Sequence, residues 1–126
     1  MLPFDPKAGL IVVPARISGP TGEIIARLAI DTGSTTSTLS RYMLISLGYN
    51  VDEVARDVRV TTASGTELAA RVWLTRINVM NHKREQFSIL SYTLPESTTV
   101  DGVLGLGFLQ GTRLTLDFAM GWITLE

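Results

Sequence analysis

Hydrophobic residues in this chain recur with a period of two, and glycine or proline breaks the pattern at short intervals. Successive side chains of a strand face opposite sides, so this period fits strands and not amphipathic helices. Leu10 to Ile17 and Glu23 to Ile30 flank the turn Ser18-Gly19-Pro20-Thr21-Gly22 and read as a hairpin. Val58 and Val60, then Leu68, Ala70, Val72 and Leu74, alternate on either side of Ala63-Ser64-Gly65. They read as a second hairpin with Gly65 supplying the permissive turn backbone. Gln86 to Leu94 is a further strand. Arg113 to Phe118 and Trp122 to Leu125 form a third hairpin around Ala119-Met120-Gly121. The one clear helix is Arg41 to Leu47, with Ser40 as N-cap, Gly48 as the C′ residue, and Met43, Leu44 and Leu47 on one face. A single further turn fits Gly107 to Gln110. The expected class is all-β: a small closed β-barrel or sandwich with one short helix.

Composition narrows the chemistry. At 126 residues the chain makes one domain, residues 1–126, with 1–9 as an N-terminal extension. Hydrophobic residues are 45% and charged residues 18%, a globular balance. Eleven basic and twelve acidic side chains give a net charge of −1, which offers no basic field for nucleic acid. Cysteine is absent, which removes thiol nucleophiles, disulfides and thiolate zinc sites. His82 is the one histidine, so a multi-histidine metal site is excluded and no metal or cofactor is expected. No run is long or apolar enough for a membrane segment or a signal h-region. These absences favour a cytoplasmic location, although the chain could be a soluble fragment of a longer protein.

The informative segment is Leu28-Ala29-Ile30-Asp31-Thr32-Gly33-Ser34-Thr35-Thr36-Ser37-Thr38. An apolar strand delivers a carboxylate into a hydroxyl-rich turn containing glycine. A carboxylate at the end of a buried strand is costly unless donors meet it, and Thr32, Ser34 and the amides around Gly33 can do so. The simplest reading is an Asx turn, in which Asp31 bonds its own backbone.

Context adds a second reading. Ala29-Ile30-Asp31-Thr32-Gly33-Ser34 resembles the active-site signature of aspartic proteases. Val100-Asp101-Gly102-Val103-Leu104-Gly105-Leu106-Gly107-Phe108-Leu109 resembles their second signature, an apolar pair and a glycine leading into a short helix. The hairpin around Gly65 lies where that family keeps its flap. One motif in one lobe resembles a retropepsin, the retroviral-type enzyme active as a homodimer. The resemblance covers about residues 10 to 126, and it is closer to cellular retropepsin-like domains than to the smaller viral enzymes.

The resemblance implies a closed barrel of the acid-protease type and an aspartic endopeptidase acting on extended peptides. Asp31, Thr32, Gly33 and Ser34 would form the catalytic loop. Asp31 from each of two chains would form the dyad, with Thr32 bonding across the axis. The Gly33 amide would lie near the carboxylate, and Ser34 would donate to its outer oxygen. Ala63, Ser64 and Gly65 would close over substrate, and Val103 would line a pocket beside the scissile bond or simply pack. The flap departs from the family, lacking the glycines of viral flaps and the tyrosine of pepsin flaps. The terminal hairpin, with a bare edge, would carry the dimer. Asp101 lacks a Thr/Ser-Gly context and is not expected as a second catalytic Asp. His82 is expected in a polar turn, Asp117 at a turn flank, and Trp73 and Trp122 as packing residues, with Trp122 a candidate interface anchor. Two alternatives stay open: a non-catalytic peptide-binding or scaffolding module of the same fold, and a barrel with no site at all.

Overall fold

The computed structural model describes residues 1–62, 64–95 and 97–126, with the backbone alone described at Thr62. Ten strands run in order: β1 (Leu2–Pro3), β2 (Val12–Gly19), β3 (Gly22–Ile30), β4 (Thr38–Ser40), β5 (Val58–Thr62), β6 (Gly65–Val79), β7 (His82–Tyr92), β8 (Gly102–Leu104), β9 (Leu114–Asp117) and β10 (Trp122–Leu125). Helix α1 (Arg41–Ser46) follows β4, and α2 (Leu106–Leu109) follows β8. A turn of 3₁₀ helix covers Val51–Glu53. Among the described residues no helix is long and apolar enough to cross a membrane.

The main sheet has the order β2-β3-β8-β4-β7-β6-β5, and β2 also pairs with β6. That extra pairing closes six strands into a barrel, as expected from the sequence. Its interior is apolar: Val13, Ala15 and Ile17 from β2, Leu28 from β3, and Leu104 from β8 are fully or almost fully buried. The strand β6 changes its inward parity along its length. Val72 and Leu74 face the core, then Ile77 and Val79 do. The change falls at Thr75, whose amide donates to the Tyr49 hydroxyl at 2.8 Å.

Both long hairpins form where the alternation places them. Gly19 pairs with Gly22, and Thr62 with Gly65. The polar turn expected over 81–85 is instead a tight turn at Met80 and Asn81. Met80 and Asn81 both take positive φ, 49° and 69°, and Val79 pairs directly with His82. Positive φ at both central residues is the geometry that matches strand twist in a two-residue hairpin. His82 therefore starts a strand instead of lying in a polar loop. Its Nε2 sits 3.1 Å from the Leu125 carbonyl oxygen.

Helix α1 ends as its sequence implies. The Gly48 amide donates to Ile45 O at 3.0 Å and the Tyr49 amide to Leu44 O at 3.1 Å, with Gly48 at φ 89°. This double bond around a left-handed residue satisfies carbonyls that the last turn would otherwise orphan. The start differs from expectation: Ser40 occupies the N-cap position, but its side chain makes no capping bond.

The terminal hairpin forms a separate three-stranded sheet of order β1-β10-β9. Leu2–Pro3 is thus a paired strand within the segment expected as an extension, and Phe4 packs edge-on against Phe118 at 5.3 Å. Strand β10 is flanked on both sides, so it offers no bare edge. The open edges of this sheet are β1 and β9. Trp73 and Trp122 lie in strands but are 59% and 37% exposed, so neither is a core packing residue.

Candidate active site

Asp31 follows the last residue of β3, and its position is set by the strand beside it. Strand β8 inserts between β3, which it parallels, and β4, which it opposes. The Asp31 amide donates to Leu104 O at 3.0 Å, so β8 fixes the backbone at the acid. The Asp31 carboxylate accepts the Gly33 amide at Oδ1, 2.9 Å away. This is the expected Asx turn, and Asp31 stays exposed. The local bond orients the carboxylate.

The rest of the loop is anchored to α2. Leu106 donates to Ser34 O at 2.8 Å and Gly107 to Thr35 O at 3.0 Å. Ser37 is 1% exposed, and its hydroxyl accepts the Gly105 amide at 2.9 Å. The sequence does not single out Ser37 from its neighbours: it is one hydroxyl in the run Ser34 to Thr38, at the point where the chain turns back into a strand. Gly105 has no room for a side chain: a Cβ there would lie 2.6 Å from Ser34 O.

The structure brings Asp31, Thr32, Gly33 and Ser34 into one loop. Thr32 is exposed. Ser34 differs from its expected role, since its hydroxyl donates to Thr36 O at 2.9 Å and not to the carboxylate. Its proton is thus committed to closing the turn. Val103 pairs with Ala29 and Thr38 and is half-buried, while Leu104 beside it faces the core. Alternation along β8 turns Val103 away from that core. Ser64 and Gly65 are exposed at the tip of the β5–β6 hairpin, and Ala63 lies outside the described residues. The hairpin leaves the barrel at Ala69: β6 is exposed up to Leu68 and buried from Ala69 to Ala70.

Asp101 has a structural partner. Its Oδ2 accepts the Arg27 amide at 2.7 Å, which locks the entry to β8. Asp117 caps its own turn, with Oδ1 accepting the amides of Ala119 and Met120. Among the described residues no group of three His, Asp or Glu side chains gathers as metal ligands.

The root of the β5–β6 hairpin is tied to the end of β7. The Tyr92 hydroxyl donates to Glu67 Oε2 at 3.0 Å. A cavity of about 500 Å³ lies beside this tie, lined by Arg41, Val51, Glu67, Ala70, Ser91 and Tyr92 but not by Asp31. Burial, then the bond to Glu67, holds the Tyr92 phenol above its ordinary value of 10.0. The folded state thus prefers the neutral phenol. Its contribution is complete below that ordinary value and is lost as pH rises through the folded one. Tyr92→Phe should therefore lose less stability than the parent between mildly and strongly alkaline buffers. Paired thermal melts read this, and equal losses would show that the tie adds nothing.

Residues 13–108 match the family model described as aspartyl protease. The barrel, the inserted β8 and the single acid loop define a retropepsin-like fold, and the chain belongs to the aspartyl protease family. A retropepsin-like aspartic protease from Rickettsia conorii superposes with a TM-score of 0.71 at 16% identity, covering 95% of this chain and 88% of that one. The retroviral protease-like domain of Ddi1 from Leishmania major gives 0.61 at 18%, covering 95% and 90%. EIAV protease, solved with the inhibitor HBY-793, gives 0.65 at 18%, covering 87% and 96%. A comparison with curated proteins finds no match.

Proposed function

We propose that the chain is an aspartic endopeptidase that works as a homodimer on extended peptides. The observation that carries this reading is the exposed Asp31 carboxylate, oriented by the Gly33 amide in a loop braced by β8. Hydrolysis without a covalent intermediate needs one group to take a proton from water and another to give one to the carbonyl oxygen. Two carboxylates within hydrogen-bond distance share a proton and supply both functions. The chain brings one such loop, so a two-fold axis must supply the second Asp31. Thr32, exposed beside it, bonds to the partner's loop across the axis. Ser34 holds the turn by its bond to Thr36. Ser64 and Gly65, at the hairpin tip, cover the bound peptide, and Val103 lines a pocket next to the scissile bond.

The terminal sheet supports the dimer. Phe118, Met120 and Trp122 are 56%, 70% and 37% exposed around one turn, and Met1 is 77% exposed on the same sheet's first strand side. Exposed apolar clusters of this kind mark interaction surfaces. Because β10 is already flanked, contact runs through the β1 or β9 edge and this apolar turn.

Mixing tests the shared site directly. Wild-type protein titrated with Asp31→Asn protein should lose activity as mixed dimers form, with active dimer scaling as the square of the wild-type fraction. Activity that stays proportional to wild-type protein alone would place the whole site in one chain. If the protein binds peptide as a dimer but does not cleave it, the scaffolding alternative takes over.

A further inference from the structure

A groove of about 420 Å³ opens where the acid loop continues past Ser34, with Thr35 and Thr36 on one wall and Arg71, Trp73 and Phe87 on another. We propose that this groove receives an acidic side chain of the peptide substrate, a few residues from the bond that is cut. The inference rests on the protease reading and names a preference within it.

Position comes from chain geometry. Thr35 is four residues beyond Asp31. The main chain spans at most about 3.6 Å per residue, so the Cα of Thr35, on the groove's rim, lies no more than about 14 Å from that of Asp31. An extended peptide covers that span in about four residues. A substrate centred on Asp31 and running along the loop therefore reaches the groove with an outer residue.

Charge supplies the preference. The ionic side chains lining the groove are Arg71, Arg84 and Glu85. Glu85 already pairs with Lys83 at 3.3 Å. Arg84 donates to the carbonyls of Lys83, Phe108 and Gln110 and lies 5.0 Å from the Phe108 ring centre. Its charge is fixed, with no carboxylate partner among the described residues. Arg71 is half-buried and donates through one nitrogen to the Ser88 hydroxyl. A guanidinium carries five N–H donors, so Arg71 keeps others for a carboxylate. Partial burial limits solvent screening of that contact, and a charge-assisted bond is stronger than a neutral one. Trp73, largely exposed on the same face, gives an apolar wall for the methylenes of a glutamate.

The test profiles cleavage of a proteome-derived peptide library, then uses a matched pair of peptides with Glu or Gln at the outer position. Asp and Glu should be enriched three to five residues from the cut, on both sides of it, because the two-fold axis supplies a second groove. The Glu/Gln ratio of kcat/KM should be on the order of tenfold and should fall to near unity in Arg71→Gln. Arg71→Lys should keep most of the preference, which a merely structural role for Arg71 would not. Titration of the same pair into Asp31→Asn protein by calorimetry reads the groove without chemistry. Charge-blind cleavage or charge-blind binding overturns the inference and leaves the protease reading intact. Selective binding without turnover in the wild type overturns the protease reading and keeps the groove. Neither binding nor cleavage overturns both.

Discussion

Asp31→Asn should abolish peptide hydrolysis and leave the fold intact. Asparagine keeps Oδ1, so the Gly33 amide retains its acceptor at the same 2.9 Å position. The residue is exposed, and exposed polar changes that break no bond usually shift stability by less than about 0.5 kcal/mol. In the proposed dimer, what disappears is the proton that two carboxylates would share. Without it, neither water activation nor carbonyl protonation has its group, and acid–base contributions of this kind are worth about 10² to 10⁴ in rate. A drop in kcat of roughly 10³-fold or more is expected, with dimer formation retained or improved because the proposed pair no longer carries a charge into the interface. The measurement is turnover of one peptide alongside sedimentation and thermal melting. Wild-type turnover in a variant preparation free of contaminating protease would remove Asp31 from the mechanism.

Gly102→Ala should have the largest effect on stability. A Cβ at Gly102 would lie 2.1 Å from the Thr38 carbonyl oxygen and 2.9 Å from its carbon. Both are main-chain atoms of β4, which β7 holds on its far side. β8 cannot retreat either, because β3 pairs with it across the opposite edge. Overpacking typically costs about 1–3 kcal/mol, and a clash between two fixed backbones belongs at the upper end or above. For a domain of this size that corresponds to a fall in Tm of about 10 °C. Gly107→Ala is the matched control. Its Cβ would sit 3.4 Å from Thr35 O, an ordinary contact, so its Tm should stay close to the parent. Equal melting of the two variants would mean that β8 is not confined as described.

Much of this was legible in the chain because it depends on local rules. Alternation located the hairpins β2–β3 and β5–β6 but not the short strands β1 and β4, the Gly48 stop located the end of α1, and the Ile30-Asp31-Thr32-Gly33 sequence located the acid loop. What escaped depends on tertiary partners. No local signal says that Ser40 lacks a capping bond or that the Ser34 hydroxyl turns to Thr36, since either bond is chemically available. The Met80–Asn81 turn carries no glycine, so it was hidden behind polar neighbours, although asparagine does tolerate its positive φ. The terminal sheet misled for a related reason. A β-prone end looks like an open edge until a two-residue strand from the other end of the chain, Leu2–Pro3, is seen against it.

The insertion of β8 has a consequence for when the acid loop comes into being. The bonds that brace it, from Asp31 to Leu104 and from Gly105 to Ser37, join residues far apart in sequence, the latter separated by 68 positions. Closing so long a loop costs entropy before any contact repays it. A chain emerging from synthesis therefore carries the Asp-Thr-Gly sequence early, but it lacks the strand that gives the sequence its shape. The frame of the loop is complete only once β8 has been made, so a half-made chain holds the acid without it.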